Sequence, residues 1–363
     1  MIILTIIVFI LIFGALVFSH ELGHFIAAKK SGIKVEEFGF GFPPRIFGVK
    51  KGETTYSINA IPLGGFVKIY GEERGEKDTR SKFAFYNRPA WNRAIILAAG
   101  VFMNLLLAAV LLSVVYAIGI PTIVENGQSG NFRNIQVQIV EVAAGSPAQN
   151  AGIQIGDAIQ SVAFNGQTQQ INQADEVQGF IAMHIGEQIT FTIRRGNETL
   201  VKDLTPRPNP PQGEGAVGIA MTKTGLVSYP WYSAIVKGFA TTGSLIVTFI
   251  GAFWALIHTL ILKGTVTTDV TGPVGIAVLT SQVVKLGVSY VLQFAAIISI
   301  NLAIINVLPF PALDGGRLLF LLIEKVKGKP INFKTERAAN AIGFALLIVL
   351  MIVVTFRDVI KLF

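Results

Sequence analysis

The stretch from Met1 to Ser19 contains no charged side chain, and it constrains the fold more than any other part of the sequence. It passes without a break into His20-Glu21-Leu22-Gly23-His24, continues as Phe25 to Ala28, and meets Lys29-Lys30. An apolar stretch of roughly 25 residues is long enough to cross a bilayer, and in lipid its backbone must satisfy its own hydrogen bonds, so it must be helical. No basic residue precedes the run and no small-residue cleavage site follows it, which sets it apart from a secretory signal. The expectation is a retained membrane span over residues 1–28 with ionisable side chains near its end.

Similar runs recur at 94–120, 287–316 and 338–358, which gives about four expected transmembrane helices. With 52% hydrophobic and 14% charged residues and a mean hydropathy of +0.58, the chain is not a wholly soluble enzyme. Residues 29–93 hold thirteen Lys or Arg against seven Asp or Glu. The basic excess makes this loop cytoplasmic by the positive-inside rule and leaves the N-terminus outside. The net charge of +8 therefore reports membrane orientation, and the expected partner is the lipid bilayer, with no nucleic acid. Within the loop, Thr54 to Ile61 and Phe66 to Tyr70 are rich in β-formers around Pro62-Leu63-Gly64-Gly65 and read as a small hairpin. Residues 125–222 lack any span-length apolar run and form a soluble domain of ordinary size. The segment 230–285 is apolar but interrupted by Lys237, Thr241, Thr242, Ser244 and His258. It reads as an amphipathic or re-entrant element.

The chemistry resides in the first span. His20 and His24 are four residues apart, so they share one face of a helix and can both bind one ion. Glu21 sits beside them, within reach of an attacking water. Zinc suits imidazole ligands and makes water a competent nucleophile at neutral pH. The chain has four histidines and no cysteine, so any metal is held by His, Asp or Glu. Two of the four fall in an otherwise apolar helix, where ionisable groups are costly and mark function. His184 and His258 are read as surface or packing residues.

A third ligand is needed. Glu36, Glu37 and Glu53 are available in the polar loop. A better candidate is Asp314, in Asn306-Val307-Leu308-Pro309-Phe310-Pro311-Ala312-Leu313-Asp314-Gly315-Gly316. Two prolines end an apolar helix there, and the paired glycines permit a turn. Irregular backbone at membrane depth is tolerated only against protein or a polar cavity, so Asp314 is expected to face such a cavity. The competing reading is an interfacial helix cap.

His20-Glu21-Leu22-Gly23-His24, Pro62-Leu63-Gly64-Gly65-Phe66-Val67-Lys68 and the 306–316 segment, in this order and spacing, resemble the site-2 protease family of intramembrane zinc metalloproteases. The bacterial regulator-of-sigma-E protease type fits best. The resemblance implies one catalytic Zn2+ held by His20, His24 and Asp314, with Glu21 as general base and Asn306 holding substrate or the developing oxyanion. Gly100 and Asn104, one turn apart on the second span, are a further family-like feature. They are read as substrate contact or as close helix packing.

Gly145-Ser146-Pro147-Ala148, Ala151-Gly152-Ile153, Gly156-Asp157-Ala158-Ile159 and Asn165-Gly166 resemble a PDZ domain. Such domains take an extended peptide as an added strand, which Gly218 and Ile219 would line. A steric filter over the membrane site is the alternative. The expected fold is thus an α-helical polytopic membrane protein with a small cytoplasmic-side hairpin and an inserted extracytoplasmic PDZ domain of the α+β kind.

The implied activity is cleavage of transmembrane segments in single-span proteins already trimmed by another protease, such as anti-sigma factors or remnant signal peptides. It would take place in a bacterial inner (plasma) membrane, with the active site towards the cytoplasm. The hairpin, through Pro62, Gly64 and Gly65, would hold the unwound substrate by edge pairing. Two other readings stand beside it: a membrane-anchored zincin cutting soluble peptides, and a non-catalytic PDZ scaffold.

If Asp314 completes the site it lies at the depth of His24, so the span ending near Leu308 runs inward and 233–262 makes no single crossing. Residues 317–337 are then cytoplasmic. Single cysteines placed there in this cysteine-free chain are expected to react with an impermeant thiol reagent only once the cytoplasmic face is opened. Labelling from outside would overturn the arrangement.

Overall fold

The computed structural model describes residues 2–72, 81–124, 132–196, 198–263 and 271–361. The expected start of the soluble domain at residue 125 and the first residue of the first span lie outside them. The chain divides into two compact units.

The first unit comprises 1–112, 237–281 and 293–363. It contains helix α1 (Ile2–Lys30), strands β1 (Val35–Lys51) and β2 (Thr54–Ile69), and most of α2 (Ala90–Ile118). It also holds most of α5 (Trp231–Lys263), α6 (Pro273–Leu286) and α7 (Val288–Val307), together with α8 (Asp314–Lys327) and α9 (Phe333–Ile360). Among the described residues, five helices, α1, α2, α5, α7 and α9, are long and apolar enough to cross a membrane by length and composition. This corrects the expected four. The added one is Trp231–Lys263, a single unbroken helix of 33 residues and therefore not re-entrant. Its scattered hydroxyls satisfy themselves along the helix: Thr242, Thr248 and Thr259 each donate to the carbonyl four residues back. Thr242, read as one of the interruptions, is thus compatible with a span, and Ser244 likewise donates to the Thr241 carbonyl. The third span also ends earlier than expected, at Val307, and Asp314 belongs to the first turn of the next helix.

The small sheet differs from the expected hairpin. Thr54–Ile61 and Phe66–Ile69 do not pair with each other. Both belong to β2, and both pair antiparallel with β1, Phe38 facing Tyr56 on one side and Val67 on the other. The Gly- and Pro-rich segment 35–51, read as loop, supplies the central strand. Its glycines tolerate the repeated bulges that let one long strand serve two partners.

Beneath this sheet Ala27, Ala28, Ile33, Val35, Ile69, Phe85, Ile96 and Leu97 form a core. It fixes the end of α1 against the start of α2. A bidentate pair from Arg93 to Glu324, at 2.9 and 3.2 Å, and a Tyr86 hydroxyl donating to Glu336 at 2.8 Å, tie in α8 and α9. Farther along, Ala108 and Leu112 of α2 pack on Ala296 and Ile300 of α7, with Leu245, Ile246 and Phe249 of α5 against them.

The second unit comprises 113–236 and 282–292. A seven-stranded antiparallel sheet has the order β3-β9-β4-β5-β7-β8, and β6 pairs with β5. The strands are β3 (Ile120–Ile123), β4 (Phe132–Val142), β5 (Ala158–Phe164), β6 (Gln167–Gln170), β7 (Ile189–Arg195), β8 (Glu198–Leu204) and β9 (Ile219–Val227). Two helices, α3 (Pro147–Asn150) and α4 (Ala174–Met183), complete it. Ser146 caps α3 by accepting from Gln149 N–H, with Pro147 in the first turn. Asn165 and Gly166, both at positive φ, make the tight turn from β5 to β6. Alternate residues of β4, β5 and β7 (Val137, Ile139, Ile159, Phe191, Ile193) meet Val177, Phe180 and Ile181 of α4 in one core.

Phe191 is fully buried at the centre of that core. Phe191→Ala is expected to destabilise the second unit by about 3–5 kcal/mol, read as a lower urea midpoint for proteolysis within 132–227. An unchanged midpoint would show that this core does not hold the unit together.

Candidate metal centre

α1 and α2 approach each other closely because two glycines face the contact. A methyl at Gly23 would overlap the Ala99 carbonyl oxygen and come within 2.8 Å of Met103 Cγ. A methyl at Gly100 would overlap His24 Nε2 and lie 2.7 and 2.8 Å from His20 Cε1 and Nδ1. Both imidazoles therefore rest directly on the bare backbone of α2. The Gly100 position is thus occupied by the histidine rings themselves.

His24 Nδ1 is 2.8 Å from the carbonyl oxygen of Ile96. A carbonyl can only accept, so Nδ1 carries the hydrogen and Nε2 presents a bare lone pair. That Nε2 is 3.2 Å from His20 Nε2, and Asp314 Oδ2 is 3.0 Å from His20 Nε2 and 3.4 Å from His24 Nε2. The three side chains are largely buried, His20 and His24 at 8% and 5% exposure. One ligand atom from each lies within 4.8 Å of the other two.

Asp314 reaches this point because the chain breaks sharply between α7 and α8. Methyls at Gly315 and Gly316 would overlap the carbonyl oxygens of Val307, Leu308 and Phe310. Only glycines let the first turn of α8 fold back on the end of α7. Ala312 takes a positive φ of 77°, and its N–H donates to Asn340 Oδ1 on α9 at 3.1 Å. Gly343, one turn further on α9, leaves room for the Pro311 carbonyl. Asp314 does not cap its own helix; its carboxylate is directed at the histidines.

Several atoms rich in lone pairs converging in a buried place are mutually repulsive unless a proton or a cation lies between them. For ligand bonds of about 2.0–2.1 Å, the edges of a tetrahedron are about 3.3–3.4 Å. The observed 3.0–3.4 Å falls close to that. Two imidazoles and one carboxylate also match the donor set of a catalytic zinc, leaving a fourth position for water or substrate. The donors fit the ion.

Glu21, next to His20 in sequence, is not one of the three converging ligand side chains. Its Oε2 accepts from Val67 N–H at 3.0 Å, so the end of β2 lies against the motif. Gly65 packs near the Glu21 side chain, and Gly64, at φ +128°, fits beneath Phe42 and Val17. Pro62 is exposed, while Gly64 and Gly65 are buried. Asn306 occupies the last turn of α7 and is half-buried. Asn104 is fully buried.

Gly218 and Ile219 belong to the other unit, at the start of β9. Gly218 takes a positive φ beside Ser146, and Ile219 pairs with Val142. His184 is held by Glu187 in that same unit, and His258 is exposed on α5.

Some supporting groups were not legible in sequence. The Ile96 carbonyl and the Val67 N–H are backbone atoms, so no side-chain pattern announces them. Asn340 and Gly343 carried a weak signal, a polar and a small residue within an apolar helix.

A family model described as peptidase family M50 matches residues 8–350. A Clostridium perfringens protein is 39% identical over 352 residues, covering 97% of both chains. Zinc metalloprotease RasP of Bacillus licheniformis is 33% identical, covering 99% of both chains. The regulator of sigma-W protease RasP of Bacillus subtilis is 32% identical, again covering 99% of both.

Gly100→Val would drive branched carbon into both imidazoles. The purified variant is expected to retain less than a tenth of the parent's zinc by elemental analysis. Full zinc content would show that α2 does not set the histidine positions.

Proposed function

The chain belongs to peptidase family M50 and is a multi-pass, zinc-dependent intramembrane metalloprotease; from that premise we propose that it cuts within the transmembrane segments of single-span proteins. The observation that carries this reading is the convergence of His20, His24 and Asp314, drawn from helices almost 300 positions apart. Its substrates are proteins already shortened by another protease, among them anti-sigma factors or remnant signal peptides. The regulator role in the name of the Bacillus subtilis relative supports the first of these.

In this reading His20, His24 and Asp314 hold one Zn2+. The ion supplies a Lewis acid that polarises the scissile carbonyl and acidifies water. Glu21 takes the proton from the attacking water and passes it to the leaving nitrogen. Asn306 donates to the oxyanion. A substrate helix has its amides already hydrogen-bonded, so it must unwind before it can be cut. The Gly65–Ile69 end of β2 offers an edge for the unwound strand, with Pro62, Gly64 and Gly65 leading into it. The Val67 N–H directed at Glu21 supports this, since it places that edge beside the proposed base.

Asp314 follows the end of α7, so α7 ends on the side where α1 ends. Asp358, near the far end of α9, accepts from Gly272 and Gly275 N–H at 3.2 and 2.8 Å. This contact ties the start of α6 to the far end of α9. The loop before α2 and the 317–337 segment are cytoplasmic. The seven-stranded unit is an extracytoplasmic PDZ domain that excludes substrates with bulky external domains, its strand β9 lining a groove from Gly218 and Ile219.

Glu21→Gln is expected to abolish cleavage of a single-span reporter, at least 1000-fold, while the purified protein keeps its zinc. Retained turnover would remove Glu21 from the chemistry. Asp314→Ala is expected to lose both zinc and turnover. Zinc retained at full activity in that variant would favour a ligand from the 29–93 loop and cleavage of soluble peptides.

A further inference from the structure

The two histidines of the motif are not equally supported. His24 Nδ1 is met by the Ile96 carbonyl, which fixes its ring and its tautomer. His20 Nδ1 is buried and has no hydrogen-bond partner among the described residues. A metal-ligating histidine nearly always donates its second ring N–H to an acceptor, and losing that acceptor costs 10–100-fold in metal affinity. An acceptor for His20 is therefore missing from the arrangement described so far.

A second orphan lies nearby. Asn104 is 0% exposed, and both its side-chain oxygen and its side-chain nitrogen lack partners among the described residues. Three observations put it at the height of His20. Gly100, which touches His20 Nδ1, is four residues before Asn104 and on the same face of α2. The Ser19 hydroxyl donates to the Met103 carbonyl at 3.2 Å, so the turn of α1 holding residue 20 abuts the turn of α2 holding residue 104. Ser299 of α7, itself fully buried, donates to the Asn104 carbonyl at 2.8 Å, which anchors that turn from a third helix.

An imidazole nitrogen and a carboxamide left without partners in the same buried layer are each destabilising. One rotamer change of Asn104, or one bridging water, would pair the His20 Nδ1–H with the carboxamide oxygen. A side chain at 0% exposure cannot meet substrate without the helices parting, so its role lies inside the α1–α2 contact. We propose that Asn104 is a positioning residue: its carboxamide oxygen accepts from His20 Nδ1–H and so presents the His20 Nε2 lone pair to the metal. The proposal rests on the reading of His20, His24 and Asp314 as zinc ligands.

The test compares Asn104→Leu and Asn104→Asp in the purified full-length protein. Zinc affinity is measured by competition with a chromophoric chelator, and the site is also read through the visible absorption of the cobalt-substituted protein. Asn104→Leu keeps the volume and removes the acceptor. It is expected to bind zinc 10–100-fold more weakly than the parent and to show an altered cobalt spectrum. Asn104→Asp keeps an acceptor oxygen and is expected to hold zinc within a few-fold of the parent.

A role in packing alone predicts the reverse order, because leucine is tolerated in an apolar contact and a lone carboxylate is not. Parent-like affinity in Asn104→Leu, or weaker binding by Asn104→Asp than by Asn104→Leu, would overturn the proposal. If the leucine variant does not fold, Asn104→Ala replaces it, and equal affinities for the alanine and aspartate variants would be equally decisive. A parent that binds no stoichiometric zinc would overturn the ligand reading as well. Normal parent binding with an indifferent leucine variant would overturn only the role of Asn104.

Discussion

The candidate metal centre depends on the contact between α1 and α2, where Gly23 and Gly100 let the two helices meet with almost no side chain between them. Gly23 lets α1 lie on the Ala99 carbonyl, and Gly100 gives both imidazoles a flat bed of backbone. Apolar helices gain little from association in lipid, because lipid tails are as apolar as leucine. Close packing through small residues and buried hydrogen bonds is what holds them together. The polar groups of the motif thus double as adhesive: the His24 bond to Ile96 and the Ser19 bond to Met103 both cross this contact.

The same logic explains the far side of the centre. Asp314 is brought to the histidines by a backbone that breaks, doubles back and is packed by glycines from α8 and α9. An Asn340 side chain caps the strained Ala312 turn. Ion pairs from Arg93 to Glu324 and from Arg317 to Glu72 brace α8 against α2 and against the end of β2. These contacts are made between segments more than 200 residues apart. They tie α8, whose first turn carries Asp314, to α2 and to the residues that follow β2.

The hairpin shows where sequence patterns mislead. Thr54–Ile61 and Phe66–Tyr70 were legible as strands, because β-branched and aromatic residues cluster there. Their pairing was not legible, since the partner, 35–51, carries Gly and Pro at a loop-like density. Hydrogen-bonding partners of a strand are set by tertiary contact and by where the chain bulges, which composition does not encode. Likewise Trp231–Lys263 looked broken by polar residues. In the helix Thr242 and Ser244 bond back to carbonyls of their own turns, so these hydroxyls do not break it.

The sequence by itself determined the chemistry and the medium. Uncharged runs of span length, an i and i+4 histidine pair, a single Asp at a proline break and the absence of cysteine are local properties, and local properties survive without a fold. Gly100 and Asn104 were visible as a pair, but their meaning was not. Only the tertiary structure decided that Gly100 is where the imidazoles rest, that Asp314 turns to them instead of capping its own helix, and that Glu21 meets the edge of β2. Each of these is a contact between remote segments, fixed by packing and by which buried polar atoms find partners.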